Sequence, residues 1–182
     1  MQPAEQSHLW IDYNWALYRL MERFSKEFPN VMAMLCAGGS GRVDYGALPY
    51  FHSFWPSDNT DPLGRIKIQW GFSHFFPAST ISAHVTRMGK RHLKLAIDVA
   101  LSGAFGIDLA LDKATAEERV QIADAVKLYK ASIRPLVMQG ELYRLVSPYE
   151  HPMASLSYVS TDKNDAVVYL YQIQDGSVPQ VI

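Results

Sequence analysis

Two aspartates, Asp58 and Asp61, stand three residues apart in the polar stretch SDNTD. Glycoside hydrolysis uses two carboxyl groups, one to protonate the leaving oxygen and one on the opposite side of the bond. Asp61 directly precedes Pro62, and this order is typical of the N-cap and first position of a helix. Arg65, four residues on, is then expected to pair with Asp61. Asp58 lies ahead of the cap, where it either points into a cleft or is an ordinary solvated loop aspartate.

A glycine-rich stretch, CAGGSGR, follows the apolar run 31–35. The run predicts a buried strand, and loops that follow strands face the active site in a barrel. The glycines allow positive φ and close approach to a ligand, although a tight turn without ligand has the same composition. The GxxxxGK[ST] pattern of a phosphate loop is absent. Cys36 has no identifiable His or Asn partner, so it is not predicted to be a nucleophile.

Four histidines have spacings that match no compact metal-binding motif, and we expect surface or core positions for them rather than a metal site: His52, His74, His84 and His92.

Hydrophobic periodicity predicts strands that alternate with helices, followed by a β-rich end. Strands are expected over 31–35, 50–55, 79–85 and 104–109, and helices over 5–28, 61–75 and 90–102. A capping box, Thr115 to Glu118, opens a further helix, with Pro135 beyond its end. The stretches 153–160 and 166–172 predict an antiparallel hairpin around the turn 161–165.

This order of elements predicts an α/β fold, the C-terminal half of a (β/α)8 barrel followed by the start of an antiparallel β-sandwich. We assign residues 1–140 to the partial barrel and 141–182 to the β domain. Four strand–helix units are about half of a barrel, which indicates that further chain belongs on the N-terminal side.

Composition narrows the function classes. The chain has 182 residues, a net charge of −1 and one cysteine. No basic excess favours nucleic-acid binding, and no internal disulfide can form. A cytoplasmic location is expected, because no signal peptide is visible. Nor does any run approach the ~20 apolar residues of a membrane helix.

Three segments together resemble glycoside hydrolase family 36, the bacterial and fungal α-galactosidases. That family has segments of the types CxxGGxRxDxG, WxSDNTDxxxR and KIQxGxSxxxPxSTxxAHV. Here they read CAGGSGRVDYG, WPSDNTDPLGR and KIQWGFSHFFPASTISAHV, with 22 residues from Cys36 to Asp58. The segment IRPLVMQGELYRLVSP resembles the family's junction into its C-terminal β-sandwich. Some positions depart from the common pattern, including Pro62 and Gly64.

The resemblance implies a retaining α-galactosidase that cleaves terminal α-galactosyl groups from oligosaccharides such as melibiose and raffinose. It implies that Asp58 is the general acid/base and that Cys36 and Gly39 line the galactose pocket. Trp55 is placed as a wall of the site. No cofactor or metal is required, and family members often form tetramers.

The family's nucleophile lies in a KWDxN-like segment that this sequence lacks and that would fall ahead of Met1. The chain is therefore expected to be a fragment, inactive alone. The alternatives are a related α-N-acetylgalactosaminidase or galactosyl transferase, and a non-catalytic half barrel that only binds sugar.

Overall fold

The computed structural model describes residues 6–174. The first residue of the predicted helix 5–28 and the last residues of the region 141–182 lie outside this range. The helices are α1 Leu9–Glu27, α2 Pro62–Phe72, α3 Leu93–Ala100, α4 Ala116–Leu128 and α5 Arg134–Gln139. The strands are β1 Met34–Leu35, β2 Ser53–Phe54, β3 Ser82–Val85, β4 Ala104–Ile107, β5 Glu141–Val146, β6 Met153–Val159 and β7 Ala166–Gln172. Within residues 6–174, no helix is long and apolar enough to cross a membrane.

The first four strands form a parallel arc in chain order. Strand β1 pairs with β2, and β3 pairs with β4. A single parallel bridge between Phe54 and Ile81 joins the two pairs. Helix α2 connects β2 to β3, and helix α3 connects β3 to β4. With these crossovers, the arc is the C-terminal half of a (β/α)8 barrel, as the sequence predicts. Its concave face carries an open hollow of about 490 Å³, lined in part by Met34, Ser53 and Ser82.

The helices cover the outer side of the arc. Helix α3 packs through Ala96, Ile97 and Ala100 in one core cluster with Ala83 and Val85 of β3. The small side chains of this helix allow it to lie close against the strand. The core therefore sits behind β3 and β4, which places the carboxyl ends of both strands at a well-supported edge.

Helix α4 begins as the sequence predicts, with a reciprocal capping box between Thr115 and Glu118. Pro135 lies beyond the end of α4, as predicted, but the chain remains helical there. It continues through a π-helical segment, Tyr129–Ile133, into α5, where Pro135 occupies the first turn. Proline lacks the N–H that a continuing α-helix needs and clashes with the carbonyl four residues back. The wider π turn accommodates both effects.

The C-terminal residues form a three-stranded antiparallel sheet in the order β5-β6-β7. The predicted hairpin is present as β6 and β7, and Lys163 at φ 62° lies in its turn. The sequence analysis missed β5, which pairs along the other side of β6. Outer-face residues of the edge strands, including Leu145, Val168 and Leu170, are more than half exposed.

Three buried tyrosines attach this sheet to helix α3. The hydroxyl of Tyr158 donates to Ser102 O at 2.7 Å, and Tyr169 donates to Leu101 O at 2.8 Å. Tyr171 donates to Asp98 O at 3.2 Å. The last carbonyls of a helix have no intrahelical donor, so these hydroxyls satisfy groups that would otherwise be buried without partners. Burial raises the pKa of all three tyrosines.

The tyrosine anchors predict alkaline unfolding. The neutral hydroxyl is the form that donates, and the folded state raises its pKa. The stabilisation is therefore complete below the unfolded value of ~10 and is lost as pH rises above it. We expect the free energy of unfolding to fall from about pH 10 upwards. Replacing Tyr169 with Phe should cost about 1–3 kcal/mol at neutral pH, because Leu101 O is left unpaired.

Urea unfolding across pH 7–11.5 tests this, with Tyr143→Phe as the control. Tyr143 is exposed and bonds only to exposed groups, Glu141 among them, so its replacement should change stability by less than about 0.5 kcal/mol. An equal effect of the two substitutions would contradict the anchoring role.

Candidate functional site

The carboxyl ends of the four parallel strands meet around a hollow of about 310 Å³. Its lining comes from every strand of the arc: Met34, Cys36, Trp55, His84, Ile107 and Asp108. Cys36, Trp55 and Asp108 each directly follow a strand, and His84 lies within β3. Loops and residues at this end form the active sites of (β/α)8 barrels.

Asp58 is joined to this hollow through Trp55. The indole Nε1–H of Trp55 donates to Asp58 Oδ1 at 3.0 Å. Asp58 is exposed, whereas Trp55 is half-buried. The carboxyl group is therefore accessible to a ligand and has one of its two oxygens engaged.

A buried arginine organises the loop between Trp55 and α2. Arg65 is 3% exposed and its guanidinium donates to the carbonyls of Ser57, at 3.2 Å, and of Ser82. Its Nε donates to Gln69 Oε1 at 3.2 Å. The guanidinium also lies 5.3 Å from the centre of the Trp55 ring, in cation–π range. Burial lowers the pKa of Arg65 to about 10, so the side chain stays protonated at neutral pH.

The prediction that Arg65 pairs with Asp61 is wrong. Asp61 occupies the N-cap position of α2, as predicted, but its side chain caps nothing and pairs with Arg91 at 3.1 Å instead. The side chain of Arg65 is directed inward to backbone carbonyls. The i, i+4 spacing alone could not show that Arg65 has a tertiary partner, because a competing acceptor, the Ser82 carbonyl, lies 17 residues further along the chain.

The glycine-rich turn packs directly under the Asp58 loop. Gly38 and Gly39 have φ values of 58° and 86°. A Cβ on Gly39 would lie 3.0 Å from Ser57 Cα and 3.5 Å from Asp58 N, whereas a Cβ on Gly38 would meet nothing within 4 Å. Gly39 is needed for its conformation and for the approach of the two loops. The sequence analysis expected close approach to a ligand at this turn; the structure shows close approach to another loop.

His84 contacts the other side of Trp55. The two rings meet edge to face, with centroids 4.7 Å apart and planes at 62°. Burial lowers the pKa of His84, Arg65 lowers it further and Asp108 opposes the shift. Neither ring nitrogen has a hydrogen-bond partner within residues 6–174. The histidine is therefore neutral at neutral pH and faces the hollow.

Of the four predicted site residues, the structure brings Cys36 and Trp55 together in the hollow, with Asp58 bonded to Trp55 and Gly39 beneath it. His84 and Asp108 were not predicted as site residues. Asp108 directly follows the observed β4, but the predicted strand 104–109 included it, so its position at a strand end was hidden. His84 had no such signal, because it lies within its strand. Across residues 6–174, no group of three or more His, Cys, Asp or Glu side chains could hold a metal ion.

Four parallel strands that end in a carboxylate-bearing hollow define the class of fold, part of a (β/α)8 barrel. The melibiase family profile matches residues 1–140, and the chain belongs to that family. The sequence is 37% identical to the α-galactosidase AgaA of Geobacillus stearothermophilus over 95% of this chain and 24% of that protein. It is 33% identical to α-galactosidase 1 of Pediococcus pentosaceus over 100% of this chain and 25% of the other.

The fold agrees with these matches. The crystal structure of an AgaA variant in complex with raffinose superposes with a TM-score of 0.87 at 37% identity, covering 93% of this chain and 24% of that one. The resemblance to glycoside hydrolase family 36 is thus confirmed. The chain spans about a quarter of the length of the curated relatives it matches.

Arg65 predicts a stability effect. Arg65→Lys keeps the charge but loses the planar fork, so the Ser57 or Ser82 carbonyl loses its donor. We expect the free energy of unfolding to fall by about 2–3 kcal/mol in urea titrations. The control is Arg91→Lys, whose pair with Asp61 is largely exposed and should contribute less than about 1 kcal/mol. Equal values for the two variants would refute the organising role of Arg65.

The glycine pair predicts a second contrast. Gly38→Ala places a Cβ in open space and should cost only the left-handed conformation, about 1–2 kcal/mol. Gly39→Ala adds a collision with the backbone of Ser57 and should cost roughly 1 kcal/mol more. Trp55 fluorescence should change only in Gly39→Ala, since the loop that carries it is displaced. A larger effect at Gly38 would be inconsistent with the packing described.

Proposed function

We propose that this chain forms the acid/base part of the active site of a retaining α-galactosidase. The proposed substrates are oligosaccharides with a terminal α-galactosyl group, of which raffinose and melibiose are examples. The observation that carries the proposal is Asp58, accessible and held by Trp55 beside the hollow, in a member of the melibiase family. The raffinose bound to the AgaA variant supports the choice of substrate.

In the first step, Asp58 donates its proton to the glycosidic oxygen as a nucleophilic carboxylate attacks the anomeric carbon. The bond to the leaving sugar breaks, and a galactosyl–enzyme intermediate forms. Trp55 accepts no hydrogen bond and donates one, so it holds Asp58 Oδ1 and leaves Oδ2 to carry the proton. Cys36 and Gly39 are proposed to border the galactose pocket.

In the second step, Asp58 acts as base. It removes a proton from the water that attacks the anomeric carbon, and α-galactose is released with retained configuration. The accessible position of Asp58 allows this water to enter once the first product has left.

We further propose that the nucleophile belongs to a segment of the barrel that these residues do not include, and that this chain alone does not hydrolyse galactosides. The carboxylates of a retaining pair stand ~5–5.5 Å apart across the bond. Within the hollow, Asp108 is the carboxylate of the described residues that would compete for the role. It follows β4 and belongs to the same arc as Asp58.

No cofactor is part of this proposal, and the enzyme is placed in the cytoplasm because its single cysteine needs no oxidising compartment. Assembly into homo-oligomers, including tetramers, is also proposed. Two related activities, on α-N-acetylgalactosaminides and in galactosyl transfer, use the same arrangement of carboxyl groups. Comparing hydrolysis rates of α-galactosides and α-N-acetylgalactosaminides would separate them.

The first test compares the chain with a chimera in which residues 6–174 replace the matching segment of AgaA. We expect the purified chain to release no phenol from an aryl α-galactoside and the chimera to release it, with α-galactose as the first product by NMR. Turnover by the pure chain that Asp108→Asn abolishes would contradict the proposal, because it would locate the nucleophile within this chain.

The second test assigns the acid. In the chimera, Asp58→Asn should lower kcat/KM for raffinose by about 10²–10⁴-fold, because a sugar leaving group needs protonation. Galactosylation by an aryl galactoside with an acidic phenol should fall far less, since that phenolate leaves unprotonated. Asp61→Asn, in the same loop, is the control and should stay within about threefold. Equal losses on both substrates would assign Asp58 a different role.

A further inference from the structure

Trp55 is the connection between Asp58 and the strands behind it. Its indole N–H bonds to Asp58, and its ring contacts Arg65 at 5.3 Å and His84 at 4.7 Å. A tryptophan side chain has two rotatable bonds, so two contacts on its ring define the direction of its N–H. The orientation of Asp58 therefore depends on residues that do not touch it.

His84 is itself fixed by strand β4. His84 pairs in register with Gly106, and a Cβ on Gly106 would collide with Cδ2 and Nε2 of the imidazole. The ring thus lies across the backbone of the neighbouring strand, in space that only a glycine leaves open. This contact determines how far the imidazole extends towards Trp55.

We propose that His84 is a positioning residue for the acid/base: seated on Gly106, it holds the Trp55 indole so that its N–H bonds to one oxygen of Asp58. The inference rests on the proposed function, because it assigns Asp58 the proton-transfer role. Positioning follows from the donor-only chemistry of the indole. With Oδ1 engaged, Oδ2 is the oxygen that can carry the proton to the glycosidic bond. Rotation of the Trp55 ring would break its hydrogen bond to Oδ1, and neither oxygen of Asp58 would then be preferred as the carrier of the proton.

Burial favours a neutral His84 ring. Asp108 faces it from the end of β4, Arg65 from α2 and Cys36 from the end of β1. Lys130 of the π segment and Arg134 of α5 line the larger hollow that His84 also lines. Burial lowers the pKa of His84 most, Asp108 opposes this shift and Arg65 adds to it. A neutral imidazole can pack its edge on Trp55 without a second cation beside the guanidinium.

The chain contains a matched control pair. His74 contacts Trp70 edge to face at 6.4 Å and 62°, at the end of α2. Trp70 is buried in the main core, and neither residue lines the hollow. Replacing His74 changes a histidine–tryptophan contact without affecting Asp58.

The kinetic test uses the active chimera of residues 6–174 in AgaA. His84→Gln should lower kcat for raffinose about tenfold, with KM within about twofold, because misplacement of a catalytic group reduces the rate rather than binding. His74→Gln should change neither kcat nor KM.

Two further variants test the order of contacts. Trp55→Phe should reproduce the loss in kcat with KM little changed, and Trp55→Phe/His84→Gln should be no worse than Trp55→Phe alone. Gly106→Ala, which displaces the imidazole, should resemble His84→Gln provided its circular dichroism is unchanged. Additive losses in the double variant would overturn the proposal. So would a rise in KM with kcat unchanged, which would make His84 a sugar contact.

A second measurement separates this inference from the proposed function. In ¹⁵N-indole spectra of the 182-residue chain, the Trp55 resonance is identified by its loss in Trp55→Phe. His84→Gln and Asp58→Asn should each shift it by more than a line width, and His74→Gln should not. An inactive chimera would refute the galactosidase proposal alone, whereas an unmoved resonance in His84→Gln would refute the positioning role alone.

Discussion

The geometry of the site depends on one buried cation. Arg65 joins the Ser57 carbonyl and the Trp55 ring, both in the loop before α2, to the Ser82 carbonyl in β3, so one guanidinium of α2 holds the loop and the strand together. No carboxylate pairs with it within residues 6–174. Burying a charge without a counterion is costly. The carbonyls of Ser57 and Ser82, the side chain of Gln69 and the π face of Trp55 offset that cost, because together they contact each part of the guanidinium.

The site is also supported from outside the arc by neutral hydrogen-bond donors, the tyrosine hydroxyls of the antiparallel sheet. Tyr158, Tyr169 and Tyr171 satisfy carbonyls around the end of α3, and α3 packs behind β3. Strand β3 in turn contributes the Ser82 carbonyl and His84. Through α3 and β3, the antiparallel sheet therefore supports the end of the arc where the hollow lies, although none of its described residues lines that hollow. Each tyrosine hydroxyl donates to a backbone carbonyl that the helix leaves without a donor. Loss of any one hydroxyl would leave that buried carbonyl unpaired and should loosen the helix that supports the strand.

Elements with a local signal were predictable from the sequence. The four parallel strands, the Thr115–Glu118 capping box and the hairpin were found because periodicity and caps are encoded within a few residues. What was missed depends on distant partners. Arg65 was assigned to Asp61, and strand β5 has no distinctive pattern until β6 lies beside it. His84 is the clearest case, since only the register with Gly106 and the contact with Trp55 distinguish it from His74, which has the same type of neighbour.

The proposed acid/base and its proposed positioning groups lie in one contiguous stretch, from the glycine-rich turn to Asp108. The geometry of Asp58 is thus set within the arc, independently of a nucleophile on other strands. The separation of the two carboxyl groups, ~5–5.5 Å in a retaining enzyme, must then be set by how the barrel closes over the concave face. Catalytic groups tolerate errors of only about 0.5 Å. The side chains that line the 490 Å³ hollow on that face therefore bear on the proposed reaction. A change of volume at Ser53, which lines only this hollow, would act on the distance between the proposed acid and its nucleophile, whereas a change at His84, which lines both hollows, would also act on the orientation of Asp58.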